Sequence, residues 1–206
     1  METNYCLAED QSTEKLSQCT NVYSNESILY PGRATWEAKQ MDKFTNMVHY
    51  FIWKGGSTLC KTVLYKLCYF SDFDFYELNE RSMTATRYRR LTNGPAPFFF
   101  DVAMESLQTG DLATEEEIAM DGSYKRFRYH SLQDPDMGSF SREEIDMLDW
   151  VFDRYGRMTA NALSELSHKD VPWIIADDKG EISYEAVFYR DAVTSVRDDE
   201  EETEGE

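Results

Sequence analysis

Leu59–Phe75, LCKTVLYKLCYFSDFDF, is the stretch whose reading decides the fold. It follows Gly55-Gly56, and Ser57 or Thr58 is expected to cap its first turn, because a hydroxyl there accepts a bond from a free helical N–H. Leu59, Val63, Leu67 and Phe70 share one stripe. Cys60, Leu64 and Cys68 widen that stripe beyond about 100° of the helix circumference. A helix apolar over so wide an arc must be covered from several sides, so the segment is predicted to be the buried central helix of a small domain.

Working outward, Glu37–Lys54 places Met41, Phe44, Val48 and Phe51 at helical spacing and is stopped by Gly55-Gly56. The short connection predicts that this helix packs antiparallel to the central one. His49, beside its apolar stripe, reads as a packed or surface side chain rather than a ligand. Downstream, Met83 to Arg90 alternates with Thr and Tyr, the mark of a short strand. Its neighbourhood carries Arg81, Arg87, Arg89 and Arg90, which either pair with the carboxylates at Asp72 and Asp74 or form a small binding surface.

Asn93-Gly94-Pro95-Ala96-Pro97 reads as a rigid loop, with Pro97 opening a helix to about Gln108. Ile118 to Tyr129 around Asp121-Gly122 reads as a β-hairpin with a two-residue turn. Ser141-Arg142-Glu143-Glu144 is a capping box starting a helix to Tyr155. Its outer face carries Asp146, Asp149 and Asp153, an acidic ridge whose bland reading is a solvated face. A shorter helix from Ala160 to about His168 is capped by Thr159, and another is expected from Ile182 to about Ala192. The fold class is therefore α+β and mainly α-helical, a compact bundle around a buried central helix with a small antiparallel sheet. The expected organisation is an N-terminal arm over 1–35, either mobile or packed through Val22, Tyr23, Ile28 and Leu29; a globular domain over 36–195; and an acidic, disordered tail over 196–206.

Composition narrows the function classes. The 206 residues are 41% hydrophobic, with 12 Phe, 13 Tyr and 4 Trp, enough for one core. Net charge is −18, and Asp198–Glu206 holds seven acidic residues and no basic one. Nucleic-acid affinity comes largely from Lys and Arg displacing counterions, so direct DNA or RNA binding is disfavoured. Cys6, Cys19, Cys60 and Cys68 lack metal or disulfide spacing. Neither a signal peptide nor a membrane span is read, and the expected location is cytoplasmic. No nucleophile–base pair, metal set, phosphate loop or cofactor motif is found, so no catalytic residue, metal or cofactor is expected. His168 with Asp170 or Glu165 is the one acid/base candidate, explained equally by a helix-end hydrogen bond.

Two stretches together resemble the Panacea family, the antitoxin SocA-like domain of toxin–antitoxin systems. Lys66-Leu67-Cys68-Tyr69-Phe70-Ser71-Asp72-Phe73 is similar to that family's KLLYFADF element and continues through Met83-Thr84 and Tyr88 to Asn93-Gly94-Pro95-Ala96-Pro97. Phe140-Ser141, Leu148-Asp149, Tyr155-Gly156, Leu163 to His168 and Pro172-Trp173 are similar to its second block. The likeness covers roughly residues 40 to 192, with Asn93 where Tyr is common and Cys68 and Ser71 as further departures. The resemblance implies no enzyme. It implies an antitoxin that binds a cognate protein toxin and occludes its active or substrate-binding surface, with an adaptor that delivers a bound partner to a protease as the alternative. An acidic antitoxin suits a toxin with a basic surface, such as one handling nucleotides or RNA. The expected partner-binding residues are Asp72, Asp74, Arg87, Tyr88, Arg89, Arg90, Gly94, Pro95, Asp146, Asp149 and Asp153.

Overall fold

The computed structural model describes residues 31–119 and 125–197. Most of the expected N-terminal arm, the Asp121-Gly122 turn and residues 198–206 of the acidic tail lie outside the described residues.

Helix α1 runs Pro31–Gly55, starting earlier than Glu37, with a proline in the first turn, where a missing N–H costs nothing. A 3-10 turn, Gly56–Thr58, leads to α2, Lys61–Asn79, and the expected hydroxyl cap is not what starts that helix. Gly56 takes φ +57, and Thr58 donates its hydroxyl to Gly55 O at 2.6 Å, so the hydroxyl closes the tight turn instead. Cys60 occupies the cap position without a side-chain bond.

The burial of α2 follows from its composition. Thirteen of its 19 residues are buried, so it is covered on every side rather than along one stripe. Helix α1 packs on it, as do α4 (Arg142–Tyr155), α5 (Ala160–Ser167) and a sheet strand. Aromatic rings close the gaps: Tyr69 lies 4.2 Å from Phe73, Phe73 stacks 4.4 Å from Tyr184, and Phe70 sits 4.7 Å from Tyr155. Such pairs contribute about 0.5–1.5 kcal/mol each beyond the area they bury. The helix continues past Phe75 and ends where Glu80 adopts a left-handed φ of 54° and donates its N–H to Tyr76 O at 2.8 Å.

The sheets are antiparallel. Strand β1, Tyr88–Leu91, lies between β2, Gly94–Pro97, and β5, Glu181–Ile182. The expected loop at Asn93–Pro97 is therefore a strand, with Leu91 opposite Gly94 and Tyr88 opposite Pro97. Two prolines are tolerated because β2 is an edge, where no second neighbour needs their N–H groups. Helix α3 consequently starts at Phe100, not Pro97, and runs to Thr109. Strands β3, Ala113–Ala119, and β4, Lys125–Ser131, form the expected hairpin. Their register sets Ala119 opposite Lys125, one position off the pairing that a two-residue turn at Asp121-Gly122 would impose.

Both predicted caps of the following helices are present. The Ser141 hydroxyl accepts from Glu144 N–H at 3.3 Å while Glu144 accepts from Ser141 N–H at 2.8 Å. Thr159 accepts from Ala162 N–H at 3.2 Å. Pro172 lies in the first turn of a short helix α6, Val171–Ile175, and a 3-10 helix at Tyr184–Tyr189 replaces the helix expected from Ile182, whose first residue belongs to β5. The molecule is α+β and mainly helical. Among the described residues no helix is long and apolar enough to cross a membrane.

Candidate functional site

The polar residues of the central helix are fasteners. Asp72 is fully buried and accepts from the Thr84 N–H at 2.8 Å, the Thr84 hydroxyl at 2.6 Å and the Tyr88 hydroxyl at 2.7 Å. Burial pushes its carboxyl up to about 6, against the lowering effect of those bonds from Thr84 and Tyr88. The aspartate thus ties the connection between α2 and β1 to the helix.

A larger ionic knot forms one turn on. Arg190, fully buried, donates Nη1 to Asp74 at 2.8 Å and to Glu77 at 2.7 Å, and grips Asp170 through Nε and Nη2 at 2.8 Å each. Tyr69 donates its hydroxyl to Asp170 at 2.7 Å. Three carboxylates around one guanidinium leave an excess of buried negative charge, and Asp74 takes the strain. Burial pushes Asp74 up to about 7, opposed by the charge and hydrogen bond of Arg190. Burial also raises Glu77, but bonds from Ser195 and Arg190 outweigh it and hold that carboxyl below its usual range. Ser195 and Arg197 both reach Glu77, so the chain after the 3-10 helix is laced to the end of α2.

The third assembly surrounds β2. Gly94 has φ +96, and a Cβ there would stand 2.4 Å from Ser167 Oγ and 2.8 Å from Lys66 Cε. Only glycine lets this backbone take a left-handed φ and lie so close to α2 and α5. Buried Lys66 donates to Pro95 O at 3.0 Å, and Ser164 donates to Asn93 O at 3.2 Å. His168 stacks on Trp173 with ring centroids 4.3 Å apart, and its Nε2 is enclosed without a hydrogen-bond partner. Burial, followed by the charge of Lys66, lowers its pKa from the ordinary value. Trp173 donates its indole N–H to Leu91 O at 3.3 Å. Arg90 lies 4.3 Å over the Trp173 ring and donates to Ile174 O at 3.1 Å and Ala176 O at 2.7 Å, satisfying carbonyls at the end of α6.

These positions redistribute the expected partner-binding residues. Asp72, Asp74, Tyr88, Gly94 and Pro95 are buried. The arginines do not neutralise Asp72 and Asp74; Arg190 serves Asp74, while Arg87 pairs with Glu181 at 2.6 Å and Arg81 with Glu144 at 3.3 Å. Arg87 is exposed, and Arg89 is half-buried with its guanidinium 5.3 Å from the Phe98 ring. On α4, Asp146 and Asp153 are exposed; Asp146 pairs with Arg142 at 2.9 Å. Asp149 is half-buried and bound by Lys54 and Tyr50, joining α4 to the end of α1.

Lys66, Ser167 and Arg190 were not singled out for these roles by sequence reasoning. Nothing local marks Arg190, which meets Asp74 across 116 positions. His49, buried, shares a 2.9 Å hydrogen bond with Ser131. Among the described residues no group of three or more His, Cys, Asp or Glu is arranged to hold a metal ion.

No curated protein and no solved structure matches the chain. A family model described as "Antitoxin SocA-like, Panacea domain" matches residues 64–174. That span opens within α2 and closes within α6, taking in Lys66, Asp72, Gly94, Ser167, His168 and Trp173, whose contacts hold the fold together. It is more than half of the chain, and the protein therefore belongs to the antitoxin SocA-like Panacea domain family.

Proposed function

We propose that this protein neutralises a cognate protein toxin by binding it directly and covering the surface with which the toxin engages its substrate. The family match over residues 64–174 carries this reading, since an antitoxin has a toxin as its partner. The geometry around His168 supports binding over catalysis: its ring is packed on Trp173 and its Nε2 is enclosed. The folded unit that binds spans 36–195 and acts in the cytoplasm.

The contact surface includes the outer face of α4, where Asp146 and Asp153 project, and the exposed Arg87 with its neighbours Arg89 and Arg90. A net charge of −18 supports a basic partner surface, because complementary charge speeds encounter and fixes orientation. A toxin that handles nucleotides or RNA presents such a surface. The reading implies a toxin encoded beside its antitoxin, so co-expression with the adjacent gene tests it. Growth restored by the wild-type chain, together with a complex that co-purifies, is expected. Toxicity that persists despite soluble antitoxin contradicts it.

A further inference from the structure

Residues 191–197 lie as a strap at the C-terminal end of α2, and what holds them differs from what holds the 3-10 helix before them. In that helix Ala186 and Val187 are buried and Tyr184 stacks on Phe73, so apolar contact anchors it. Of 191–197 only Thr194 is buried, while Asp191, Ala192 and Val193 are exposed. The bonds that fasten the strap to α2 converge on Glu77. Its carboxylate accepts from the Ser195 hydroxyl at 2.6 Å, the Val196 N–H at 3.3 Å and Arg197 Nε at 3.3 Å. A segment with little apolar burial opens locally, at a free energy below that of the whole fold.

Beneath the strap the charges do not balance. The side chains of Asp74, Glu77, Asp170 and Arg190 are fully enclosed, three carboxylates to one guanidinium. Arg190 spends Nε and Nη2 on Asp170, which also receives Tyr69, and divides Nη1 between Asp74 and Glu77. Asp74 receives least, for its Oδ2 is enclosed with no hydrogen-bond partner. A carboxyl so placed is favoured as the neutral acid, and the proton that balances the knot belongs there. Its value of about 7, pushed up first by burial, agrees with that placement. The groups facing Asp74 are Arg190 at the end of the 3-10 helix, Asp170 before α6, Glu77 and Tyr69 on α2, and Tyr155 on α4, with Arg154 acting on Tyr155. Burial holds both tyrosines above their ordinary value, and Arg190, where burial is outweighed by the charge of Asp74, stays a cation.

Ionising Asp74 sets a third buried negative charge beside Asp170 and Glu77 and draws the shared Nη1 away from Glu77. Glu77 borders the strap, so turning its carboxylate toward water relieves the crowding and releases Ser195, Val196 and Arg197 together. We propose that residues 191–197 form a proton-gated strap, closed over the end of α2 while Asp74 is a neutral acid and loosened at Glu77 when Asp74 becomes a carboxylate. Linkage sets the direction. The closed state binds the proton more tightly than the opened, hydrated state, so closure is fully favoured below the ordinary value of 3.8 and weakens as pH rises through about 7, the proton passing to water. The device needs no toxin and stands apart from the neutralisation reading.

Hydrogen exchange on the full chain, read amide by amide by NMR, tests the strap. The Val196 amide reports directly, because its N–H is bound to Glu77. Divided by the intrinsic rate, its exchange is expected to rise about tenfold from about pH 6 to about pH 8, the limit for one proton with a closed-state value of about 7. That exchange is also expected to be insensitive to urea up to about 1 M, the mark of a local opening. In Asp74→Asn, which cannot ionise, the rise should vanish. A flat wild-type profile overturns the proposal without recourse to a variant. Exchange that climbs with urea overturns it too, since the amide then reports unfolding of the whole domain, and so does a rise undiminished in Asp74→Asn. Should that variant not fold, the carboxyl carbon shift of Asp74 in the wild type decides: a titration that tracks Val196 exchange supports the gate, and a carboxyl already ionised at about pH 6 overturns it.

Discussion

Gly94 shows how a single position can be required by geometry. Its φ of +96 and the 2.4 Å approach of Ser167 Oγ to a would-be Cβ leave no room for a side chain. Gly94→Ala is expected to lower unfolding free energy by about 2–4 kcal/mol in urea titrations, the sum of backbone strain and overpacking. That glycine was visible in the sequence as part of an Asn-Gly-Pro signal, although its partners Lys66 and Ser167 were not. Arg190 was invisible, because nothing near it predicts three carboxylates from distant elements. Arg190→Met would strand those carboxylates and cost about 3–5 kcal/mol by the same measurement. A pH series isolates Asp74. Its folded-state value of about 7 lies above the ordinary 3.8, so the native state holds a proton that the unfolded chain releases. The stability it contributes is complete below the ordinary value and is lost as pH rises through about 7. Between about pH 5 and pH 8 the wild-type melting temperature should therefore fall more steeply than that of Asp74→Asn, a neutral side chain of similar shape. Parallel slopes would show that Asp74 does not titrate there.

At the scale of elements, α4 was legible because its start is written locally. Ser141 and Glu144 close the capping box within one turn, and Glu144 also receives Lys43 at 2.7 Å from α1. Glu144→Ala removes the box and the buried end of that ion pair together. Its expected cost is about 1–3 kcal/mol, read as a lowered urea midpoint at unchanged slope. The strand β2 was not legible. Proline and glycine argue for a loop in local terms, and only its place at the sheet edge, pressed on α2, reverses that argument. The start of α2 was misread for a related reason: a hydroxyl after two glycines serves a tight turn as readily as a helix cap.

For the whole molecule, the central helix and its aromatic cover could be read from sequence, since apolar width predicts burial on all sides. The binding surface could not. Exposure is a property of the assembled fold, and residues such as Asp72, Asp74 and Tyr88, polar and inside the family motif, proved to be internal fasteners. Within the matched span these side chains keep the domain folded. Charge reversal at Asp146 and Asp153 to Lys changes exposed side chains on α4 and is expected to slow association and flatten its salt dependence without lowering the melting temperature. Stopped-flow association at two ionic strengths reads that effect, and unchanged rates would remove the α4 ridge from the contact surface.

The most direct test of neutralisation by direct binding is to co-express the chain with the neighbouring gene and purify through a tag on that gene's product. The account predicts restored growth together with a stable complex in which the toxin's activity is blocked. Restored growth with no complex, or a complex whose toxin remains active, would contradict it.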